Sequence, residues 1–345
     1  MRRAVIFIVF ACIACTAIAS ANLTVFQPSY GGLSATNVYD WCNGPDGEVV
    51  AATARGLSVF DGENWTTYHR PAGYVPESLI SETILSVEYG PDNTLWLGTT
   101  LGLQSFDGQS FHTLATQDQL KNPAVIALQR WDDAMWVETR NSGVHRVEGG
   151  NWTWYKPFAP GSPASYALED MALDPEGRYL YCLSKEGLWA IEENSTGGFS
   201  QVTMDGMSLR GYEGIRTDPF GGVYLFNRSQ VVHLDAAGKV APVLGCGDFE
   251  RVGIRVQDLG AAPDGALWVA TNYGIFCWKN LRVVEEIGRP DGIWARSIKT
   301  VFPDQAGRCW FSTSTCVGYS PLHSQTGTAI SFVGPARWDG NLRLQ

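Results

Sequence analysis

From residue 22 onward the chain is built of short runs in which apolar and polar residues alternate, cut at close intervals by Gly, Asp, Asn and Pro. Alternation with a period of two marks half-buried strands, and the 3.6-residue periodicity of amphipathic helices is missing. In the clearest stretch Ile84–Tyr89 reads as one strand, Pro91-Asp92-Asn93 as a tight turn and Leu95–Thr99 as a second strand. Thr100-Leu101-Gly102 then turns, Leu103–Phe106 runs back, Asp107-Gly108 turns again, and Ser110–Leu114 makes an outer strand. The pattern predicts four-stranded antiparallel units.

The unit repeats. Residues 44–62 read GPDGEVVAATARGLSVFDG, 90–108 read GPDNTLWLGTTLGLQSFDG and 262–278 read APDGALWVATNYGIFCW, with weaker copies around Trp136, Tyr181, Tyr224 and Trp310. Taking one equivalent position per copy gives Val50, Trp96, Trp136, Tyr181, Tyr224, Trp268 and Trp310, spaced by 46, 40, 45, 43, 44 and 42 residues. That period suits a propeller blade. The expected fold is therefore all-β, a seven-bladed β-propeller of four-stranded antiparallel blades spanning residues 22–334. A ring leaves open edges unless both chain ends meet in one blade. Either of two segments supplies the closing strand: residues 22–27, which resemble the outer strand at Asn64–His69, or Ala329–Gly334. Residues 335–345 have no repeat partner and form a C-terminal tail.

Copy two follows nearly throughout a pattern close to D-x-x-G-x-L-W-[IVL]-G-T-x-x-G-L-x-x-F-D-G. In this the chain resembles the two-component-regulator propeller repeat family over residues 22–334, most clearly in copies one, two and six. The resemblance implies an exported ligand-sensing domain of a class commonly fused to a membrane helix and a histidine kinase, some members responding to oligosaccharides. Nothing after Trp338 resembles such a helix or kinase, so the chain acts alone, signals through a separate partner, or is the receptor part. A weaker likeness is to the streptogramin lyase propellers, metal-assisted enzymes with His and Glu in central loops. The five histidines, His69, His112, His145, His233 and His323, fall mostly on third or outer strands or just beyond them, which weakens that reading.

The amino terminus adds a location. Met1-Arg2-Arg3 precedes the apolar run Ala4–Ala21, which ends in small residues and reads as an export signal cleaved after Ala21. Residues 4–21 as an uncleaved membrane anchor are the alternative, with lipidation at Cys12 or Cys15 a minor third. Either way the propeller is exported to a periplasmic, extracellular or cell-surface site. Composition agrees with a packed strand-rich fold: of 345 residues 45% are hydrophobic and 17% charged, with 38 Gly, 13 Trp, 13 Tyr and 15 Phe. The net charge of −10 falls further when Arg2 and Arg3 leave with the signal, which disfavours nucleic acid as a partner.

Within the repeat the Trp positions are read as core. The recurring Asp46, Asp92, Asp174, Asp218, Asp264 and Asp304 are read as turn chemistry, since none carries the alternating carboxylates of a calcium loop. Gly56, Gly102, Gly143, Gly187 and Gly274 recur where a left-handed backbone or a close approach of strands is required. The turns between second and third strands vary while the strands repeat, so ligand contacts are sought there. Asn37, Arg55, Arg140, Asn141, Lys185, Arg228, Asn272 and Tyr273 are the candidate ligand-binding residues, a hydrogen-bonding funnel suited to hydroxyl-rich or carboxylate-bearing ligands. No catalytic motif, metal site or cofactor site is found. Six cysteines follow the signal, and Cys309 with Cys316, flanking one predicted hairpin, is the candidate disulfide. Asn-x-Ser/Thr triplets at Asn22, Asn64, Asn151, Asn194 and Asn227 are candidate glycan acceptors. The leading expectation is a non-enzymatic sensor for a small molecule or oligosaccharide that signals to a membrane partner. A lyase or hydrolase using the central face is the alternative, and a protein-interaction platform the third.

Overall fold

The computed structural model describes residues 23–26, 33–155, 168–192, 198–204, 207–249, 251–293, 295 and 297–321. Their strands form seven four-stranded antiparallel sheets, each running from an inner to an outer strand, and one two-stranded ladder of Thr203–Met204 with Met207–Ser208. Blade 1 comprises Val38–Asn43, Val49–Thr53, Gly56–Phe60 and Trp65–Tyr68; blade 2, Ile84–Tyr89, Leu95–Thr99, Leu103–Phe106 and Phe111–Ala115. Blade 3 comprises Val125–Trp131, Ala134–Thr139, Gly143–Glu148 and Asn151–Tyr155; blade 4, Leu168–Leu173, Tyr179–Ser184, Gly187–Glu192 and Ser200–Gln201. Blade 5 comprises Gly214–Thr217, Val223–Phe226, Gln230–Leu234 and Val240–Gly245; blade 6, Val256–Ala261, Leu267–Thr271, Ile275–Lys279 and Arg282–Ile287. Blade 7 takes Ile298–Pro303, Arg308–Thr313 and Val317–Pro321 from the end of the described chain and its outer strand, Thr24–Phe26, from the beginning.

Of the two segments that offer a closing strand, the amino-terminal one occupies the place. Thr24 lies opposite Tyr319, Val25 opposite Gly318 and Phe26 opposite Val317. The rival segment 329–334 lies outside the described residues, as do residues 1–21 and 335–345. The Phe26 ring meets Phe60, Trp65, Trp310 and Tyr319 at centroid distances of 5.6, 5.8, 6.2 and 6.3 Å, so the closing strand is held by an aromatic cluster shared between the last and first blades. The Arg308 guanidinium caps that cluster, 5.4 Å from Phe60 and 5.3 Å from Trp310, and pairs with buried Asp304 at 2.6 Å.

Each of the seven seams between adjacent blades has its own hydrophobic core. The repeating apolar position explains this. Val50 packs between blades 1 and 2, Trp96 between 2 and 3, Trp136 between 3 and 4, and Tyr181 between 4 and 5. Tyr224, Trp268 and Trp310 complete the circuit. One apolar side chain per repeat, aromatic in six of the seven, therefore packs into one seam, and the core reading of the tryptophans holds. Six of the seven inner strands also carry a register irregularity near their start, at Tyr39, Leu85, Ile126, Glu169, Gln257 and Lys299. Such bulges re-aim side chains at a barrel or channel rim.

Candidate functional site

The second-to-third-strand turns are built by one local device. The Thr or Ser ending the second strand donates its hydroxyl to the carbonyl three residues on: Thr53 to Gly56 at 2.8 Å, Thr99 to Gly102 at 2.9 Å, Ser184 to Gly187 at 3.0 Å, Thr271 to Gly274 at 2.8 Å. The same oxygen accepts the N–H two residues on, as from Arg55 and Leu101 at 3.1 Å. Gly102 shows why the following residue is glycine: its φ is +149°, and a Cβ there would stand 2.5 Å from the Ala115 carbonyl of the outer strand. The frame thus fixes the ends of each turn and leaves one of the two residues between them, Arg55, Leu101, Lys185 or Tyr273, exposed. Backbone bonds from Ala54 to Asn37, Thr100 to Thr83, Arg140 to Ala124 and Asn272 to Arg255 tie these turns to the starts of the inner strands, so both lie on one face of the ring.

All eight sequence-selected residues lie on that face, in different states. Arg55, Arg140, Asn141 and Lys185 are exposed. Arg228 is exposed but pairs with Glu213 at 3.3 Å, and Asn37 accepts a hydrogen bond from Lys299 at 2.7 Å. Asn272 has a framework role: it accepts the Arg255 N–H at 2.6 Å and donates to the Gly253 carbonyl at 3.0 Å. Tyr273 is half exposed, with its hydroxyl 3.4 Å from the Val252 carbonyl. The basic funnel is therefore partly neutralised and partly structural.

What single-copy motifs did not show lies one step down the channel. Asp40, Asp170 and Asp258 occupy the same rank of the inner strands in blades 1, 4 and 6, and each accepts a backbone N–H from the next blade: Val87 at 3.0 Å, Ile215 at 3.2 Å and Val301 at 3.0 Å. Arg216 of blade 5 reaches to both sides, pairing with Asp170 and, at 2.7 Å, with Asp258. Burial opposes the Arg216 charge, but Asp258 and Asp170 outweigh it and hold the guanidinium more firmly protonated than usual. Asp40 and Glu88 have no cationic partner within ion-pair distance among the described residues, and burial pushes both carboxyls up to about 7. Glu138 stands where the other copies carry Ala52, Gly98, Leu183, Phe226, Ala270 and Ser312; it is fully buried, and neither carboxyl oxygen has a hydrogen-bond partner among the described residues. Its carboxyl is raised well above the ordinary range, first by burial and then by Asp170 and Glu169. The signal was present as Met-Trp-Val-Glu-Thr in place of Leu-Trp-Leu-Gly-Thr.

The remaining candidates sit elsewhere. His69 bonds the Arg55 carbonyl, His112 pairs with Asp107 on an outer strand, buried His145 holds the Leu120 carbonyl and His233 pairs with Asp218. His323 lies outside the described residues. The recurrent aspartates serve their turns: Asp92, Asp218 and Asp264 each accept the N–H two residues on, and Asp304 accepts that of Arg308. Among the described residues no three His, Cys, Asp or Glu side chains converge as metal ligands. The Cys309–Cys316 pairing is not formed, and both thiols are free. Cys309 lies opposite Ser320 while Cys316 lies beyond Val317 at the other end of the hairpin. Four strand positions separate them by roughly 13 Å, past the ~7 Å limit for bridging. Asn64 and Asn151 are exposed at the entry to outer strands, whereas Asn227 is engaged with Ser229, Gln230 and Gly211. Asn22 and Asn194 lie outside the described residues.

A separate groove of about 420 Å³ lies on the outer flank of blade 2, between Arg70, Tyr74 and Val75 on the connecting loop and Phe111–Thr113 on the outer strand. Tyr74 is 93% exposed there. No helix among the described residues is long and apolar enough to cross a membrane.

No protein-family model matches the chain, and no curated protein sequence matches it. Solved structures do. The extracellular domain assigned to a hybrid two-component system of B. thetaiotaomicron, BT3049, superposes with a TM-score of 0.68 at 18% identity, covering 88% of this chain and 42% of that one. A streptogramin B lyase matches with a TM-score of 0.66 at 12% identity over 86% of this chain and 96% of that one. YCF48 bound to a D1 peptide matches with a TM-score of 0.65 at 13% identity, covering 89% of this chain and 97% of that one. The chain spans less than half the length of the two-component-system domain. Both resemblances read from the repeat thus have structural counterparts, and what the chain shares with a sensor ectodomain, a lyase and a peptide-binding protein is the seven-bladed propeller fold.

Proposed function

We propose that this chain is the ligand-binding part of an extracytoplasmic sensor, taking a small molecule or oligosaccharide without turnover and passing the event to a membrane signalling protein. One observation carries the reading. In blades 1, 2, 4 and 6 a Thr or Ser hydroxyl and a Gly are committed to the frame of the second-to-third-strand turns, while the side chains between them vary and are free of that frame's demands. Arg140 and Lys185, exposed on adjacent blades, supply donors for hydroxyl or carboxylate oxygens. Likeness to a sensor ectodomain supports the same reading by analogy. The export signal and cleavage after Ala21 belong to this proposal.

The test is a thermal-shift screen of residues 22–345 against oligosaccharides and uronic acids, with the ligand recovered and weighed. A ligand at a hundred times its Kd stabilises the fold by about 2.7 kcal/mol. Arg140→Ala and Lys185→Ala should each weaken binding about tenfold, and unchanged binding in both removes these residues from the site. The lyase or hydrolase reading has no comparable support, because the four described histidines are held on third or outer strands or by turn groups. The interaction-platform reading rests on the groove at Tyr74, away from the channel.

A further inference from the structure

On the loop that joins blade 1 to blade 2, Tyr74 holds its ring almost wholly in water and Val75 beside it is half exposed. Exposed apolar side chains clustered in one patch mark contact surfaces. The loop is nonetheless fixed at both feet. One foot is the strand Trp65–Tyr68. At the other, Gln104, fully buried on the third strand of blade 2, donates to the Ser78 carbonyl at 3.0 Å and accepts the Ile80 N–H at 3.0 Å. The Glu77 carbonyl accepts the Phe111 N–H at 2.9 Å, and the Glu77 carboxylate takes the Ser110 hydroxyl at 3.3 Å. Between the feet residues 73–75 are exposed and border the groove of about 420 Å³, which Leu79 and Phe111 of the core between blades 1 and 2 also line.

The facing border is the free edge of the outer strand Phe111–Ala115. The Asp107 N–H donates to the Ser110 carbonyl to close the hairpin, and beyond it Phe106 lies opposite Phe111, Ser105 opposite His112 and Gln104 opposite Thr113. In an antiparallel ladder, hydrogen-bonded pairs alternate with pairs whose backbone groups point outward. Phe111 and Thr113 are of the outward kind, as the Phe111 bond to Glu77 shows. Glu77 thus already adds one residue to this edge. The groups next in line, the Phe111 carbonyl and the Thr113 N–H and carbonyl, receive no bond from outside the sheet among the described residues. A strand edge in this state is a template for another strand. Charge adds a second requirement. Asp107 holds His112 at 3.2 Å and Glu77 holds Ser110, which leaves exposed Arg70 as the one charged side chain of the groove without a hydrogen-bond or ion-pair partner among the described residues.

We propose that this groove docks an extended segment of a partner protein, which adds as a short strand to the outer edge of blade 2 at Thr113, places an apolar side chain against Tyr74 and Phe111 and sets a carboxylate on Arg70. Three backbone groups in a row on one edge ask for a backbone in return, and strand addition draws affinity from such bonds and specificity from the alternate side chains. A guanidinium offers a carboxylate two parallel donors. The net charge of −10 opposes a strongly acidic partner, so the segment carries a single carboxylate rather than a run of them. Docking here is independent of what the channel mouth binds.

A phage-displayed library of random heptapeptides, selected on the propeller and counter-selected on Tyr74→Ala, supplies the probe. The selected peptides, resynthesised with a fluorophore and titrated by anisotropy, should each carry a carboxylate at a fixed spacing from an apolar residue. N-methylation of alternate peptide amides should abolish binding in one parity and leave it in the other, because only every second amide of an added strand faces the edge. Arg70→Glu, at an exposed position and with an unchanged melting temperature, should weaken binding tenfold or more. Val252→Ser, which removes an apolar side chain exposed on another loop, should bind as the unaltered chain does. A selection that yields no Tyr74-dependent peptide overturns the proposal, as does binding that survives methylation in both parities or is undiminished in Arg70→Glu. Equal loss in Val252→Ser would mean unspecific apolar adsorption and overturn it as well.

Discussion

Arg216 joins blades 4 and 6 across blade 5, and neither of its partners is near it in the chain. Replacing it with Met leaves two carboxylates facing a partly closed channel. The loss should be about 1–3 kcal/mol in a urea titration, below that of breaking a fully buried pair because the Arg216 side chain is 36% exposed. Asp40 and Glu88 make stability depend on pH. Their carboxyls rise to about 7 in the folded chain, above their unfolded values, so between roughly pH 4 and 7 the folded state binds the extra protons. The stabilisation is full below the unfolded pKa values and is lost as pH rises through 7. The melting temperature should therefore be higher at pH 5.5 than at pH 8, and the difference should shrink in Asp40→Asn and in Glu88→Gln; an equal slope in both variants would remove these groups as its source. At this scale the turn residues were legible because each repeats: a Thr followed three residues on by Gly is visible in copy after copy. The channel residues were not, because Arg216 occurs in one blade and the aspartates in three. Their meaning appears only when the inner strands are laid side by side.

The three-residue strand Thr24–Phe26 closes the ring. Its hold on blade 7 comes from a short ladder and from one ring, Phe26, inserted among Phe60, Trp65, Trp310 and Tyr319. Phe26→Ala should cost about 3–5 kcal/mol, read from chemical unfolding, and hydrogen exchange should rise first in Val317–Pro321. Equal stability of the variant would mean that the ring closes by another segment. Alternation in the sequence marked both 22–27 and 329–334 as strands, but it has no term for which of two equivalent strands reaches an edge first. Strand positions were more legible. The first three strands of blade 2 fall on the predicted residues, and the outer strand begins at Phe111 rather than Ser110, because Ser110 closes the hairpin by accepting the Asp107 N–H.

The whole molecule is a ring of seven seams, each a separate hydrophobic cluster to which the preceding blade contributes its repeat residue, so stability is spread around the circle rather than concentrated in one core. Trp268 is 2% exposed in the seam between blades 6 and 7, and Trp268→Ala should cost about 3–5 kcal/mol by calorimetry. The period made this architecture readable, since a repeat near one blade in length admits few other solutions. Function was less readable, because the ligand face is assembled from one or two residues per blade that the repeat leaves free to vary. Whether that face binds without reacting is the central claim, and one experiment tests it most directly. An equilibrium titration of residues 22–345 with the best ligand of the screen, on the unaltered chain and on Arg140→Ala/Lys185→Ala, is followed by mass spectrometry of the recovered ligand. The account predicts one saturable site, a loss of tenfold or more in the double variant, and ligand of unchanged mass. Cleaved ligand, or undiminished affinity in the double variant, would contradict it.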